Sequence, residues 1–364
     1  MSCRNTLSDR YPGCTGRSEL HCYGFLQPAR PAQLLLLVTL VAFCIAPSAG
    51  DAQQARGGAV PVGTVRASAP AWAYPTSRPE AAPGPAPAAT LEHVPGSSLS
   101  FSKAQTTDRF AVPDWHPDEH GKMPSVVSQG RKPSVYACAY CHLPNGAGRS
   151  ENASLAGLPE SYIIEQVNEM KSGQRRSSLP AMTAFMMTVA QAVTQEETRA
   201  AARYFAHLRP KDNWIRVVEA DVVPTTHVIP INVLAPIGDG HTEALGNRII
   251  EVPEDVTRTD LRDSQSGYVA YVPKGSIERG RVLVTTGGEG RTIACSSCHG
   301  QNLKGVGAIP SIASRSPSYI FRQLFDIRAG TRSGATVALM NAPVAHLTDD
   351  DMISIAAYLA SLHK

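Results

Sequence analysis

Near the C-terminal end, apolar residues fall at Ile355, Tyr358, Leu359 and Leu362, the i, i+3, i+4, i+7 spacing of one buried helix face. Ala201, Tyr204, Phe205 and Leu208 repeat that spacing. Each stretch is preceded by a helix start. "TQEE" at 194–197 reads as a capping box with Thr194 as N-cap, and Thr348 precedes Asp349, Asp350 and Asp351, whose charges suit a helix N-terminus. "SYIIEQVNEM" from 161 and "SYIFRQLFDI" from 318 predict a second helix beside each of these. The pattern changes over 211–275. There "NWIRVVEADVV", "THVIPINVL" and "SGYVAYV" carry β-branched and aromatic residues broken by Pro and Gly, which predicts a few short strands in a connecting segment. Residues 53–110 are rich in Pro, Ala, Gly and Ser and poor in large apolar side chains. Such a stretch buries too little surface to offset chain entropy and predicts a disordered spacer. The chain therefore reads as mainly α.

The paired helices belong to a longer repeat. Laying residues 126–175 over 283–332 needs no gap. Gly130 then falls on Gly287, Asn145 on Asn302 and Gly148 on Gly305; "SYI" falls on "SYI", Gln166 on Gln323, Gly173 on Gly330 and Arg175 on Arg332. Beyond this point the first copy carries three extra residues before the final helices align. A repeat of this length is a duplicated domain, too long for a solenoid unit. It sets boundaries of 111–210 for the first domain and 276–364 for the second.

Residues 1–52 resemble an export signal. Arg4, Arg10, Arg17 and Arg30 precede the apolar run Leu34 to Ala46, and "APSAGDA" offers cleavage after Gly50 or Ala52. The run is shorter than the ~20 residues that span a bilayer; left uncleaved, it would serve as an N-terminal anchor. A formal net charge of +3, from 34 basic and 31 acidic residues, gives no footprint for nucleic acid.

Cysteine placement sharpens the chemistry. Cys3, Cys14, Cys22 and Cys44 lie in the leader; the other four, Cys138, Cys141, Cys295 and Cys298, lie in "ACAYCHLPNGAG" and "ACSSCHGQNLKG". Three chemistries compete for C-x-x-C-H. A redox dithiol leaves the histidine incidental and expects one motif in a βαβ setting. A structural zinc site needs four ligands and would have to unite two distant pairs. Covalent haem uses every residue: two thiols add across the haem vinyl groups, and the next residue, His142 or His299, is held under the iron. Two copies, export and no spare thiol favour haem, with two haem c groups and their iron as cofactors.

The motif, a glycine-containing loop, the "Y-I…Q…G-x-R" helix, a methionine and the capped final helix together resemble a two-haem class I cytochrome c. The resemblance implies two tandem class I cytochrome c domains joined by an irregular segment with short β-strands. It also implies a methionine as second axial ligand. Met340, in the loop before the final helix, is that candidate in the second copy, and Met352 is assigned to the helix. In the first copy the register points to Met186 over Met170, Met182 and Met187. Family members tie the ligand histidine to a proline carbonyl; Pro310 matches, whereas the first copy has Ala153 there. Arg175, Arg332, Tyr162 and Tyr319 are candidates for haem propionates or for packing. His116, His120, His207, His227, His241 and His346 read as structural or exposed.

Two six-coordinate haems leave no open position for substrate, so the expected function is an exported electron carrier, not an enzyme, working in the periplasm. Transient redox donors and acceptors are its expected partners, a membrane-bound dehydrogenase or oxidase among them, and no nucleic acid. Two alternatives stand beside it: a bacterial two-haem cytochrome c peroxidase, and the electron-accepting subunit of a periplasmic dehydrogenase.

Overall fold

The computed structural model of the chain describes residues 68–76 and 90–362. The expected export leader and most of residues 53–89 lie outside the described residues.

The final helix of each copy begins as its residues dictate. Over Gln195–His207 (α1) the Thr194 hydroxyl accepts from the Glu197 amide at 3.1 Å and the Glu197 carboxylate accepts from the Thr194 amide at 2.9 Å. Over Asp349–Ser361 (α2) Thr348 and Asp351 exchange the same two bonds at 3.2 and 2.9 Å. Both are capping boxes. Each final helix packs on the repeated "SYI" helix, Glu160–Ser172 in the first copy and Pro317–Arg328 in the second. One core gathers Val127, Ile163, Val189, Ala202 and Phe205; the other gathers Leu283, Phe321, Phe325, Met352 and Ile353. Met352 is fully buried there, in keeping with its assignment to the helix.

In the second copy the helix Ser276–Thr286 lies directly on α2. Gly280 makes this approach possible, because a methyl group at that position would overlap the Ser354 carbonyl oxygen.

The segment between the copies is built of strands. Ile215–Glu219 (β1), Ile250–Pro253 (β2) and Tyr268–Val272 (β3) form one sheet with β3 in the middle, parallel to β1 and antiparallel to β2. Ile215 pairs with Tyr268, and Ile250 with Tyr271. All four residues of β2 are buried. The buried Glu251 carboxylate on β2 accepts from the Ser316 hydroxyl at 2.7 Å and the Ser318 amide at 3.2 Å, which seats the start of helix 317–328 against the sheet. Two further two-stranded ladders, Val222–Pro224 with Thr242–Ala244 and Thr226–Ile229 with Val233–Pro236, extend this segment. It packs on both copies and is more than a connector.

One expectation needs correcting. The spacer assigned to 53–110 is ordered at 68–76 and 90–110. Trp72 and Tyr74 stand in the Pro/Ala-rich stretch and dock on the second core, with Trp72 4.6 Å from the Phe321 ring and the Tyr74 hydroxyl donating to Asp326 at 2.8 Å. Leu91–Glu92 and Phe101–Ser102 pair as a short hairpin, and Phe101 packs edge-on against the buried Trp115. A few aromatic anchors order a segment that its average composition does not.

Two outcomes follow. Gly280→Ala is expected to cost about 3 kcal/mol, read as a shifted denaturation midpoint, because backbone must move to admit the methyl group. The two-pronged bond from Arg131 to Glu197 (2.8 and 3.1 Å) leads the causes that hold that carboxyl down at about 2. A depressed carboxylate contributes stability above its unfolded value of about 4.3, and this is lost as pH falls towards 2. Glu197→Gln is therefore expected to flatten the acid limb of the stability–pH curve in that window.

Candidate functional site

Each C-x-x-C-H motif forms a single helical turn, Cys138–His142 in the first copy and Ser296–His299 after Cys295 in the second. A turn of helix sets the two cysteines, three apart, on one face with the histidine next to the second. The chain then reverses through a left-handed residue, Leu143 at φ 64° or Gly300 at φ 83°. The loop closes on Gly148 and Gly305, whose amides donate to the His142 and His299 carbonyls at 3.0 and 2.9 Å. At both positions a side chain would strike backbone, and φ is positive. Glycine is required there.

That loop orients the histidine. His142 Nδ1 donates to the Ala153 carbonyl at 2.8 Å, and His299 Nδ1 donates to the Pro310 carbonyl at 2.8 Å. The change from proline to alanine leaves the bond intact, since a backbone carbonyl serves in both. With Nδ1 committed as donor, Nε2 carries the lone pair. Burial pushes His142 down to about 4 against the pull of that carbonyl, and lowers His299 likewise. Both are neutral imidazoles at neutral pH, fit for a metal.

The thiols answer the competing chemistries. Burial pushes Cys138 up to about 12 and Cys295 up to about 11, and raises Cys141. Burial of this kind works against the free thiolate that a redox dithiol uses at the first motif. Among the described residues no group of three or more His, Cys, Asp and Glu side chains is placed to share a metal ion, so the two cysteine pairs do not combine.

Cys138, Cys141 and His142 open on a cavity of about 280 Å³. Met186, Met182 and Met170 line it with Val189 and Phe205, and Met187 does not. Met186 follows the start of helix Ala184–Ala192. In the second copy Met340 ends the 3-10 turn Val337–Met340 and packs, with Cys295, against the second core.

The four repeated polar residues meet across a seam between the copies. Arg175 and Arg332 face each other in an antiparallel bridge, flanked by bonds from the Arg176 amide to the Thr331 carbonyl (2.9 Å) and from the Ser333 amide to the Gln174 carbonyl (2.7 Å). Arg175 donates to Gln166 of its own copy (2.8 Å) and to Tyr319 and Gln323 of the other (2.7 and 3.2 Å). Arg332 mirrors it, donating to Gln323, Tyr162 and Gln166 at 3.0, 3.1 and 2.9 Å. Arg175 and Tyr319 also face the first cavity.

Sequence reasoning missed three further arginines. Arg315 donates to the Ser154 carbonyl (2.8 Å) and hydroxyl (2.9 Å), and Arg322 donates to the Ser150 carbonyl (2.6 Å) and the Ala73 carbonyl (3.0 Å). Buried Arg149 lies 2.7 Å from Glu151 beside the first motif. No spacing rule announces the distant partners of Arg315 and Arg322. Nη1 of Arg149, Nε of Arg315 and Nε of Arg332 are buried without a hydrogen-bond acceptor, while Nε of Arg149 is paired with Glu151. A buried cation needs an anion or acceptor, so this surplus fits a group carrying carboxylates, as haem does.

Removing one member of the seam leaves buried partners exposed to no water. Arg175→Met is expected to lower stability by about 2–3 kcal/mol, measured by denaturant unfolding of the holoprotein, because Tyr319 loses its arginine donor and Gln166 keeps only the bond from Arg332.

The cytochrome c family matches residues 277–363. The thiosulfate dehydrogenase electron acceptor of Thiomonas intermedia (strain K12) is 25% identical over 232 residues, covering 63% of this chain and 80% of that protein. Cytochrome c4 of Azotobacter vinelandii is 31% identical over 259 residues, covering 67% of this chain and 91% of that protein. A solved thiosulfate dehydrogenase from Marichromatium purpuratum shares 26% identity at a TM-score of 0.44, covering 65% of this chain and 39% of that one. With nine-tenths of a cytochrome c4 matched and the motif duplicated, the chain belongs to the two-domain class I cytochrome c family and is an electron carrier with two covalently attached haem c groups.

Proposed function

We propose that the chain is an exported cytochrome passing single electrons between periplasmic redox proteins. Cys138 and Cys141 would tether one haem, with His142 and Met186 to hold its iron; Cys295 and Cys298 would tether the other, with His299 and Met340 to hold its iron. The observation that carries this reading is that each motif histidine is locked through Nδ1, while Met186 lines the cavity on which His142 opens and Met340 packs with Cys295 against the second core. Bound there, each haem iron supplies a one-electron couple, and histidine–methionine ligation raises its potential.

The residues divide the remaining work. The cysteines tether, the Ala153 and Pro310 carbonyls hold the imidazole planes, and Val189 and Phe205 keep water from the first cavity. Arg149, Arg175 and Tyr319 line that cavity and are suited to receive propionates. Residues 111–210 and 276–364 act as the two electron-carrying units, with 211–275 as the irregular, stranded segment between them. Among the described residues no helix is long and apolar enough to cross a membrane; residues 1–52 would direct export and, if retained, anchor the chain. The electron donor is a periplasmic dehydrogenase. The Thiomonas relative, named as electron acceptor of thiosulfate dehydrogenase, supports an enzyme acting on a sulfur oxyanion.

Oxidised protein is expected to show the weak far-red band of methionine bound to ferric haem. Met186→Ala and Met340→Ala should each remove about half of it. An unchanged band would refute that ligand, and a high-spin spectrum with peroxide turnover would replace the carrier reading by a peroxidase.

A further inference from the structure

The two motifs share a backbone but not their surroundings. In the first copy the loop after the motif is covered. Leu143 and Ala147 pack with Trp214, Val233 and Tyr268 of the 211–275 segment, and Asn145 donates to the Ser264 carbonyl at 2.7 Å. Arg262 closes this edge: its guanidinium lies 3.5 Å from the Tyr140 ring centre and donates to the Tyr140 carbonyl at 2.8 Å and the Thr106 carbonyl at 2.9 Å. On the neighbouring side Arg109 lies over Tyr136 and Phe185, at 5.3 and 4.7 Å from their ring centres. Its carbonyl accepts from the Ala137 amide at 2.9 Å.

The second copy is bare at the matching positions. Ser297 stands for Tyr140, Gly300 for Leu143, Lys304 for Ala147 and Val306 for Arg149. Arg149 is 5% exposed and Val306 58%. Ile293, matching half-buried Tyr136, is exposed, and Leu339 is 77% exposed where its match Phe185 is 53% exposed. Cys298 is exposed, whereas Cys138, Cys141 and Cys295 are half-buried. Exposed Ile293, Val306 and Leu339, on the copy whose motif cysteine Cys298 and loop residue Lys304 are also exposed, have the mixed apolar and charged make-up of a small transient interface.

We propose that residues 101–110 and 211–275 form a cap over the outer edge of the first motif, so that electrons enter and leave at the second, where the face around Cys298 receives a redox protein that presents its own cofactor through an apolar surface. The first haem is then an internal station, filled and emptied through the second. This rests on haem at both motifs.

Stopped-flow oxidation of the reduced holoprotein by hexacyanoferrate(III) at low ionic strength tests it. The Lys304→Glu, Val306→Glu double variant adds negative charge at the open face only. Oxidation of both haems is expected to slow on the order of tenfold, since the probe is a trianion. If the oxidation of one haem keeps its wild-type rate, the first motif has its own port and the cap is wrong. Adding Arg262→Ala should recover about threefold of the lost rate by opening the first edge, and no recovery would overturn the cap. Should that variant fail to fold, amide exchange in the wild type decides: residues 143–149 should be protected about a hundredfold more than 300–306, and equal protection refutes the cap. Fewer than two haems per wild-type chain, counted as pyridine haemochrome, would overturn the attachment reading and this one with it.

Discussion

Two buried guanidinium groups, Arg175 and Arg332, are held together by neutral acceptors, and the placement of the two copies depends on that arrangement. Like charges drawn from water repel and cost solvation. Here each is bonded to a glutamine oxygen of its own copy and to a glutamine and a tyrosine of the other. Neither copy can satisfy its arginine alone. Bonds of this kind are directional, so they set an angle and a register between the copies where apolar contact would only set proximity.

The two copies repeat one unit, and the segments packed around them make their surroundings unequal. The three-stranded sheet fills the space against α2 and helix 317–328, while its flanking turns reach the first motif. A carrier with two cofactors gains nothing in capacity from such a cover. What it gains is a defined order of stations, because access to solvent differs while the chemistry of attachment is repeated.

Features written in short-range spacing were legible in the sequence. The capping boxes at Thr194 and Thr348, the buried face of α2, the motif and its histidine–carbonyl bond each depend on residues within about a dozen positions. The repeat carried the reading from one copy to the other and pointed to Met186, which lines the first cavity alongside Met170 and Met182. Features joining distant residues were not legible. Arg175 and Tyr319 read as propionate or packing residues of separate copies, and only the fold brings them to 2.7 Å. Trp72 and Tyr74 were diluted by the prolines and alanines around them, although two aromatics in such a background were the available hint. The 211–275 strands were recognisable as strands, but β-branched residues do not say what a sheet covers.

Arg315 and Arg322 belong to the second copy, yet they hold the carbonyls of Ser154 and Ser150 on either side of Ala153, the acceptor that aims His142. The chain is made from its N-terminus, so the first motif emerges well before these two arginines. The earlier-born half is therefore finished last: its iron-facing loop acquires its final supports only when the later half has folded.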